Sequence, residues 1–402
     1  MRGLHVLAAS VLAATAVLSM ASGGAANGAQ GSRSLATRSH LTAVSCATPT
    51  SCLGLGSIAK AYEPQLVDSF DGRAWHVEQV IPNTLHISTF LQSVDCVTAT
   101  WCMVVGYHVA PHTASHSAFS EVWTGKGFRR YVTANATGGN FVSVSCPSER
   151  DCVAVGTRSV KLDIDEPMAQ TWNGSTWNLM PMPMNQHQRE LHSVSCPTAN
   201  FCAAVGSASI NLRPVLFGEL WNGISWRVFD AKPVAQVTIP CFGLREGCPG
   251  KADPGFNRVS CARSMCVAVG TYGLAEKWNG HGWTELPSFG HGVILYDVDC
   301  VGRSKCLAVG VRGALKELPE PAAYEWTGAA WRSVSPRVVP AISHGQFSEL
   351  SCPSPTSCIA LGASRYMAQR GGDGSTGYLQ SGPDVAGIWL DGHWHYVVTA
   401  WP

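Results

Sequence analysis

Short runs of alternating apolar and polar residues recur along the chain, and no stretch beyond the first 30 residues keeps a 3.6-residue apolar period over helical length. Leu191-His-Ser-Val-Ser-Cys196 is one such run, with a β-branched centre. After a Pro-Thr-Ala-Asn turn comes Phe201-Cys-Ala-Ala-Val-Gly206, and the pair predicts a hairpin. A third run, Leu216 to Trp221, enters Asn222-Gly223, and Trp226-Arg-Val-Phe229 leaves it. Asn-Gly between β-rich segments signals a tight hairpin because both residues tolerate positive φ. Trp-Asn-Gly-x-x-Trp returns at 172–177 and 278–283, and Asp71-Gly72, Thr124-Gly125, Thr327-Gly328 and Asp391-Gly392 supply equivalent turns. Each unit therefore predicts four antiparallel strands.

The unit repeats seven times. A strand ending Ser-Cys or Asp-Cys, a short gap, then Cys followed by small and apolar residues and Gly recurs along the chain. The pairs are Cys46 with Cys52, Cys96 with Cys102, Cys146 with Cys152, Cys196 with Cys202, Cys261 with Cys266, Cys300 with Cys306 and Cys352 with Cys358. Seven four-stranded units of roughly 40 to 50 residues predict an all-β fold, a seven-bladed β-propeller in which each sheet buries both faces against its neighbours. The paired tryptophans are open to a sugar- or choline-binding reading, since aromatic faces serve both. Their return at one position in the blades favours packing between blades.

These residues resemble the kelch and Asp-box families of propeller repeats. The resemblance rests on Val269-Gly270 closing a second strand, on Trp283-Thr-Glu-Leu-Pro287 in the fourth, and on Ser69-Phe-Asp-Gly-Arg-Ala-Trp75, one residue short of an Asp box. Gly106, Gly156, Gly206 and Gly310 stand alone where a kelch repeat has two glycines. The added Cys-x5-Cys is similar to secreted repeat proteins of actinobacterial type. The resemblance spans about 41–399 and implies a fold, not a chemistry.

Arg2, an apolar run from Leu4 to Met20 and small residues through Ala29 predict a secretory signal over 1–29, followed by an N-terminal segment, 30–40, and the propeller, 41–402. No later apolar run is long enough for a membrane span. In an exported chain the 16 cysteines read as eight disulfides, one per blade hairpin plus Cys241 with Cys248. Zinc pairs sit closer and combine in fours, so no metal or other cofactor is expected. With 28 basic and 27 acidic residues the chain offers no field for nucleic acid or an anionic membrane, and a monomer is expected.

Strand alternation sends the first-to-second and third-to-fourth turns to one face of the ring, where they are short. The other face takes the variable connections, including 208–215, 363–386 and an insertion, 230–256, between blades 4 and 5. Binding residues concentrate on variable loops of a constant scaffold. A disulfide-stapled insertion lowers the ordering cost of binding, which makes Phe242, Leu244, Arg245 and Glu246 candidate contacts. His108, His112 and His116 are weighed as a metal set against a solvated loop, Asp163, Asp165 and Glu166 as calcium ligands against ordinary acids, and the glycine-rich 371–377 as an anion cradle against a plain loop. The serines before the first cysteines, with Asp95 and Asp299 in two blades, are expected to form a structural polar ring near the axis. Gly-x-Ser-x-Gly and His-Glu-x-x-His are absent. The expected function is non-catalytic: a secreted propeller recognising an extracellular protein or glycan through its variable face. The alternative is a carbohydrate-active enzyme, glycosidase or sialidase-like, with convergent carboxylates at the axial mouth. A structural envelope protein is a third class.

Overall fold

The computed structural model describes residues 39–58, 63–84, 87–110, 115–134, 138–161, 164–183, 189–210, 213–230, 237–238, 251–252, 255–290, 292–302, 304–313, 319–336, 345–367, 378–380 and 385–398. They form a seven-bladed propeller. Blade 1 pairs Ser39–Thr48, Ser51–Ile58, Gln65–Phe70 and Trp75–Ile81 in that order, from inner to outer strand. Five further four-stranded antiparallel sheets follow, and blade 7 repeats the order with one added short strand, Tyr378–Gln380, paired to its second strand. Among the described residues, seven disulfides join each inner strand to the second, one per blade as expected. Cys46 bonds to Cys52, Cys96 to Cys102, Cys146 to Cys152, Cys196 to Cys202, Cys261 to Cys266, Cys300 to Cys306 and Cys352 to Cys358, with Cα–Cα separations of 3.9 to 4.1 Å. Closing so small a loop contributes about 2 kcal/mol each in the chain-entropy model. Cys241 and Cys248 lie outside the described residues.

The apolar core is divided into seven clusters, each lying between two successive blades. Outer-strand aromatics join them: Tyr131 meets Trp172 of the next blade edge-on at 4.7 Å, and Phe229 meets Trp278 at 4.9 Å. Trp177 Nε1 donates to Ser120 Oγ of the preceding blade at 2.8 Å. Trp177 and Trp226 are buried, whereas Trp283 and Trp331 at the same position are half-buried.

The repeated glycine has one cause. Opposite it, each inner strand carries a bulge: Leu41 pairs Gly56 and Ala43 pairs Leu55, leaving Thr42 between, and the other six blades do the same. The bulge drives a carbonyl onto the glycine, so a Cβ at Gly206 would sit 1.8 Å from the Glu190 oxygen and one at Gly310 2.0 Å from that of Ile294. Only glycine admits the bulge.

The Asn-Gly turns work differently from the sequence expectation. Gly174, Gly223 and Gly280 have φ near +90°, but their asparagines do not have positive φ. Asn222 Oδ1 instead accepts the N–H groups of Ile224 and Ser225, and Asn173 and Asn279 cap their turns likewise. Asp71 does the same in blade 1, and at Asp391-Gly392 both residues take positive φ. The variable connections are also more regular than expected. Ala208 pairs Val215 and Ile210 pairs Arg213, so the second and third strands of blade 4 run almost to the tip. At the base of the 230–256 insertion, Val237–Thr238 pairs with Lys251–Ala252.

No strand crosses the seam between blades 7 and 1 among the described residues, since each sheet is built from its own consecutive strands. Closure relies on a cluster containing Leu41, Leu66, Phe70, Ile359 and Leu361, and on a hydrogen bond from Cys46 N–H to Ser351 Oγ at 2.9 Å.

Candidate functional site

The inner strands surround an axial cavity of about 300 Å³ lined almost wholly by polar side chains and backbone. Two rings of residues line it and a third lies beyond them along the inner strands, each set by its position before the first cysteine of the blade.

The residue immediately before the cysteine forms the first ring: Ser45, Asp95, Ser145, Ser195, Ser260, Asp299 and Ser351. Each accepts the cysteine N–H of the following blade, at 2.6 to 3.0 Å, and Ser351 returns to Cys46, so the belt closes on itself. Serine and aspartate recur here because the task is to accept one N–H across a narrow gap. Burial raises the Asp95 carboxyl to about 6 against the pull of the Cys146 N–H, and raises Asp299 to about 7 against that of Cys352.

Three residues before the cysteine the pattern is mixed: Ala43, Ser93, Ser143, Ser193, Arg258, Asp297 and Glu349. Ser93, Ser143, Ser193 and Asp297 continue a second belt to the next blade. Arg258 cannot accept a hydrogen bond, so the Val298 N–H beside it is taken by Asp297 Oδ1 at 2.8 Å. Arg258 bonds Asp297 Oδ1 through Nε at 3.1 Å and Glu349 Oε2 through Nη2, which links blades 5, 6 and 7. Burial works against the guanidinium charge, but Glu349 and Asp297 outweigh it and hold Arg258 firmly protonated. Burial pushes both carboxyls up while Arg258 draws them back.

The bulge residue, four before the cysteine, forms the third ring, nearest the face with the longer connections: Thr42, Gln92, Val142, His192, Asn257, Tyr296 and Ser348. All seven differ, and all are half-exposed or exposed, while the residues before them are core. His192 Nδ1 lies 3.1 Å from the Phe256 carbonyl and Asn257 Nδ2 donates to that of Leu295 at 2.7 Å, so two ring members also touch the next blade.

The expected polar ring at Ser145, Ser195, Asp95 and Asp299 is thus present, and its partners are backbone amides. The Arg258, Asp297 and Glu349 cluster was not anticipated. Its signal was three charged residues where other blades carry serine or alanine. His108 and His116 lie in strands, not in a loop: His108 stacks on Phe119 at 4.5 Å and His116 packs on Tyr107 at 5.0 Å. Glu166 pairs with Arg158 at 3.3 Å. Phe242, Leu244, Arg245 and Glu246 lie outside the described residues, as do His112, Asp163 and 371–377.

No protein-family model and no curated protein matches the chain. Among solved structures, YCF48 bound to D1 peptide is similar over 81% of this chain and 90% of that one, at 11% identity and TM-score 0.50, a likeness of fold. YCF48 from Cyanidioschyzon merolae is 12% identical, with 82% and 94% coverage and TM-score 0.47. SapL1 lectin in complex with alpha methyl fucoside is 13% identical, with 76% and 97% coverage and TM-score 0.43.

Proposed function

We propose that this is a secreted binding propeller that recognises an extracellular protein or glycan at the face carrying the longer connections. The observation that carries the reading is the gradient along the axis. Side chains are nearly constant where they bond the next blade, mixed one step further, and all different in the third ring. Repetition marks scaffold, and departure from it marks the place where a partner is told apart.

The insertion 230–256 adds a second element to the same face, with a short ladder at its base, Cys241 and Cys248 as its staple, and Phe242, Leu244, Arg245 and Glu246 as its contacts. YCF48, of similar fold, was solved with a peptide bound. Residues 1–29 act as the export signal, and the disulfides suit the oxidising space outside the cell. The repeat is of kelch and Asp-box type. A hydrolase at the axis is the weaker reading, because Asp95, Asp297 and Asp299 are committed to backbone amides and Glu349 to Arg258.

The test is capture. Mature protein is immobilised against a glycan array and an extracellular protein fraction, beside a Gln92→Ala/Tyr296→Ala variant and one with 230–256 trimmed to the length of other connections. Both variants are expected to fold and to lose the captured partner. Full retention by both would refute the placement.

A further inference from the structure

The third-strand position two residues before the closing aromatic differs from blade to blade, and two neighbouring interfaces show what that changes. Where blade 2 meets blade 3, Gln170 in the third strand grips the linker: the Ala134 N–H donates to Oε1 at 2.9 Å, and Nε2 donates to the Ala134 carbonyl at 2.5 Å. One interface on, Glu219 takes the same strand position, two residues before Trp221 as Gln170 is two before Trp172. The linker there reads Met180-Pro181-Met182-Pro183. Pro183 stands six residues after Trp177, as Ala134 stands six after Phe128. Proline has no N–H and a carboxylate has no donor, so neither half of the grip can form. Glu219 is 1% exposed, and neither carboxylate oxygen has a hydrogen-bond partner among the described residues.

Beside this linker, on the face with the longer connections, lies a groove of about 310 Å³ lined by Met168, Met180, Met182 and Pro183 together with Arg158, Glu166 and Arg189. Arg189 is 5% exposed and its guanidinium stacks 4.5 Å over the Phe217 ring. Arg158 reaches Glu166 at 3.3 Å, and its Nε is buried without a hydrogen-bond partner among the described residues. Burial pushes Glu219 up to about 7, with Arg189 pulling it back. Thioethers adapt to irregular apolar shapes, and guanidinium groups match a carboxylate with paired donors.

We propose that this groove binds a small apolar carboxylic acid, its aryl or branched body against the methionines and its carboxylate on Arg158 and Arg189. The volume is at the lower end for a small-molecule site and suits one compact body. The site is separate from the axial rings and stands independently of the function proposed above.

The probes are indole-3-acetate and its uncharged analogue indole-3-acetamide, titrated into mature protein carrying ¹³C-methyl methionine. The Met168, Met180 and Met182 methyl signals are expected to shift saturably with the acid, those of Met103 and Met265 to stay in place, and the amide to bind more weakly. Arg158→Gln, at a side chain 31% exposed, is expected to weaken the acid about tenfold and leave the amide unchanged. The proposal fails if the three methyls do not saturate with the acid, if acid and amide bind the unaltered protein equally, or if folded Arg158→Gln holds the acid as tightly as before. The comparison of acid with amide decides the matter even if that variant does not fold.

Discussion

Asp68 offers a sharp test of how the blade interfaces are built. It occupies the third-strand position where Gln170 grips a linker and where Glu121 pairs with Arg130 at 2.8 Å. Asp68 is 0% exposed, and its two carboxylate oxygens have no hydrogen-bond partner among the described residues. Burial, with a smaller push from Glu78, raises its pKa from 3.8 to about 8. A raised carboxyl binds its proton more tightly folded than unfolded, so stability is highest below about pH 4, falls as pH rises toward 8, and levels off above. At about 1.36 kcal/mol per unit, the cost approaches 4 kcal/mol at pH 7 and 5 to 6 kcal/mol above pH 8, as an upper value. Asp68→Asn keeps the shape and removes the ionisation. Urea denaturation followed by tryptophan fluorescence at pH 5, 7 and 8.5 is expected to show a gap in favour of the variant that is smallest at pH 5, about 1.6 kcal/mol as an upper value, and that widens by up to about 4 kcal/mol more at pH 8.5. Asp95, Asp299 and Glu219 titrate in both proteins and cancel in the difference. A gap that does not change with pH would refute the reasoning.

Ser351→Ala removes the acceptor for the Cys46 N–H at the seam, and thermal or urea unfolding should report a loss of about 1 to 3 kcal/mol, similar to Ser145→Ala within the ring. Trp177→Ala and Trp226→Ala should each cost about 3 to 5 kcal/mol as buried aromatics, and half-buried Trp283 and Trp331 distinctly less, measured by the same unfolding curves. Non-reducing peptide mapping should return eight short-range disulfides, the seven seen here and Cys241 with Cys248. A link between blades would overturn the hairpin pairing.

The blades were legible because their signals are local. The cysteine pairs, the alternating runs and the Asn-Gly turns each lie within a few residues, and all three recur. The belt was only half legible: Ser195 stood out by repetition, but its partner, the Cys261 N–H, is 66 residues away and belongs to a backbone group that no sequence pattern marks. The Asn-Gly turns were placed correctly for an incomplete reason, because Asn222 contributes a capping oxygen and Gly223 alone contributes the positive φ. His108 and His116 were weighed as a metal set against a solvated loop. Pairing of Val109 with His116 extends the hairpin through them, and aromatic neighbours hold both rings. The Arg258, Asp297 and Glu349 cluster needs three blades to converge, so only the axis of the folded ring brings it together.

The proposed function divides the axis between a scaffold end and an end where a partner is recognised. Hydrogen–deuterium exchange of the protein alone and with its captured partner tests this directly. Slower exchange is predicted at the bulge residues Gln92, His192, Asn257 and Tyr296 and in the insertion 230–256, with the belt amides of Cys146, Cys196 and Cys352 unchanged. Protection confined to the short turns after Asp71, Asn173, Asn222 and Asn279 would place recognition on the opposite face and contradict it.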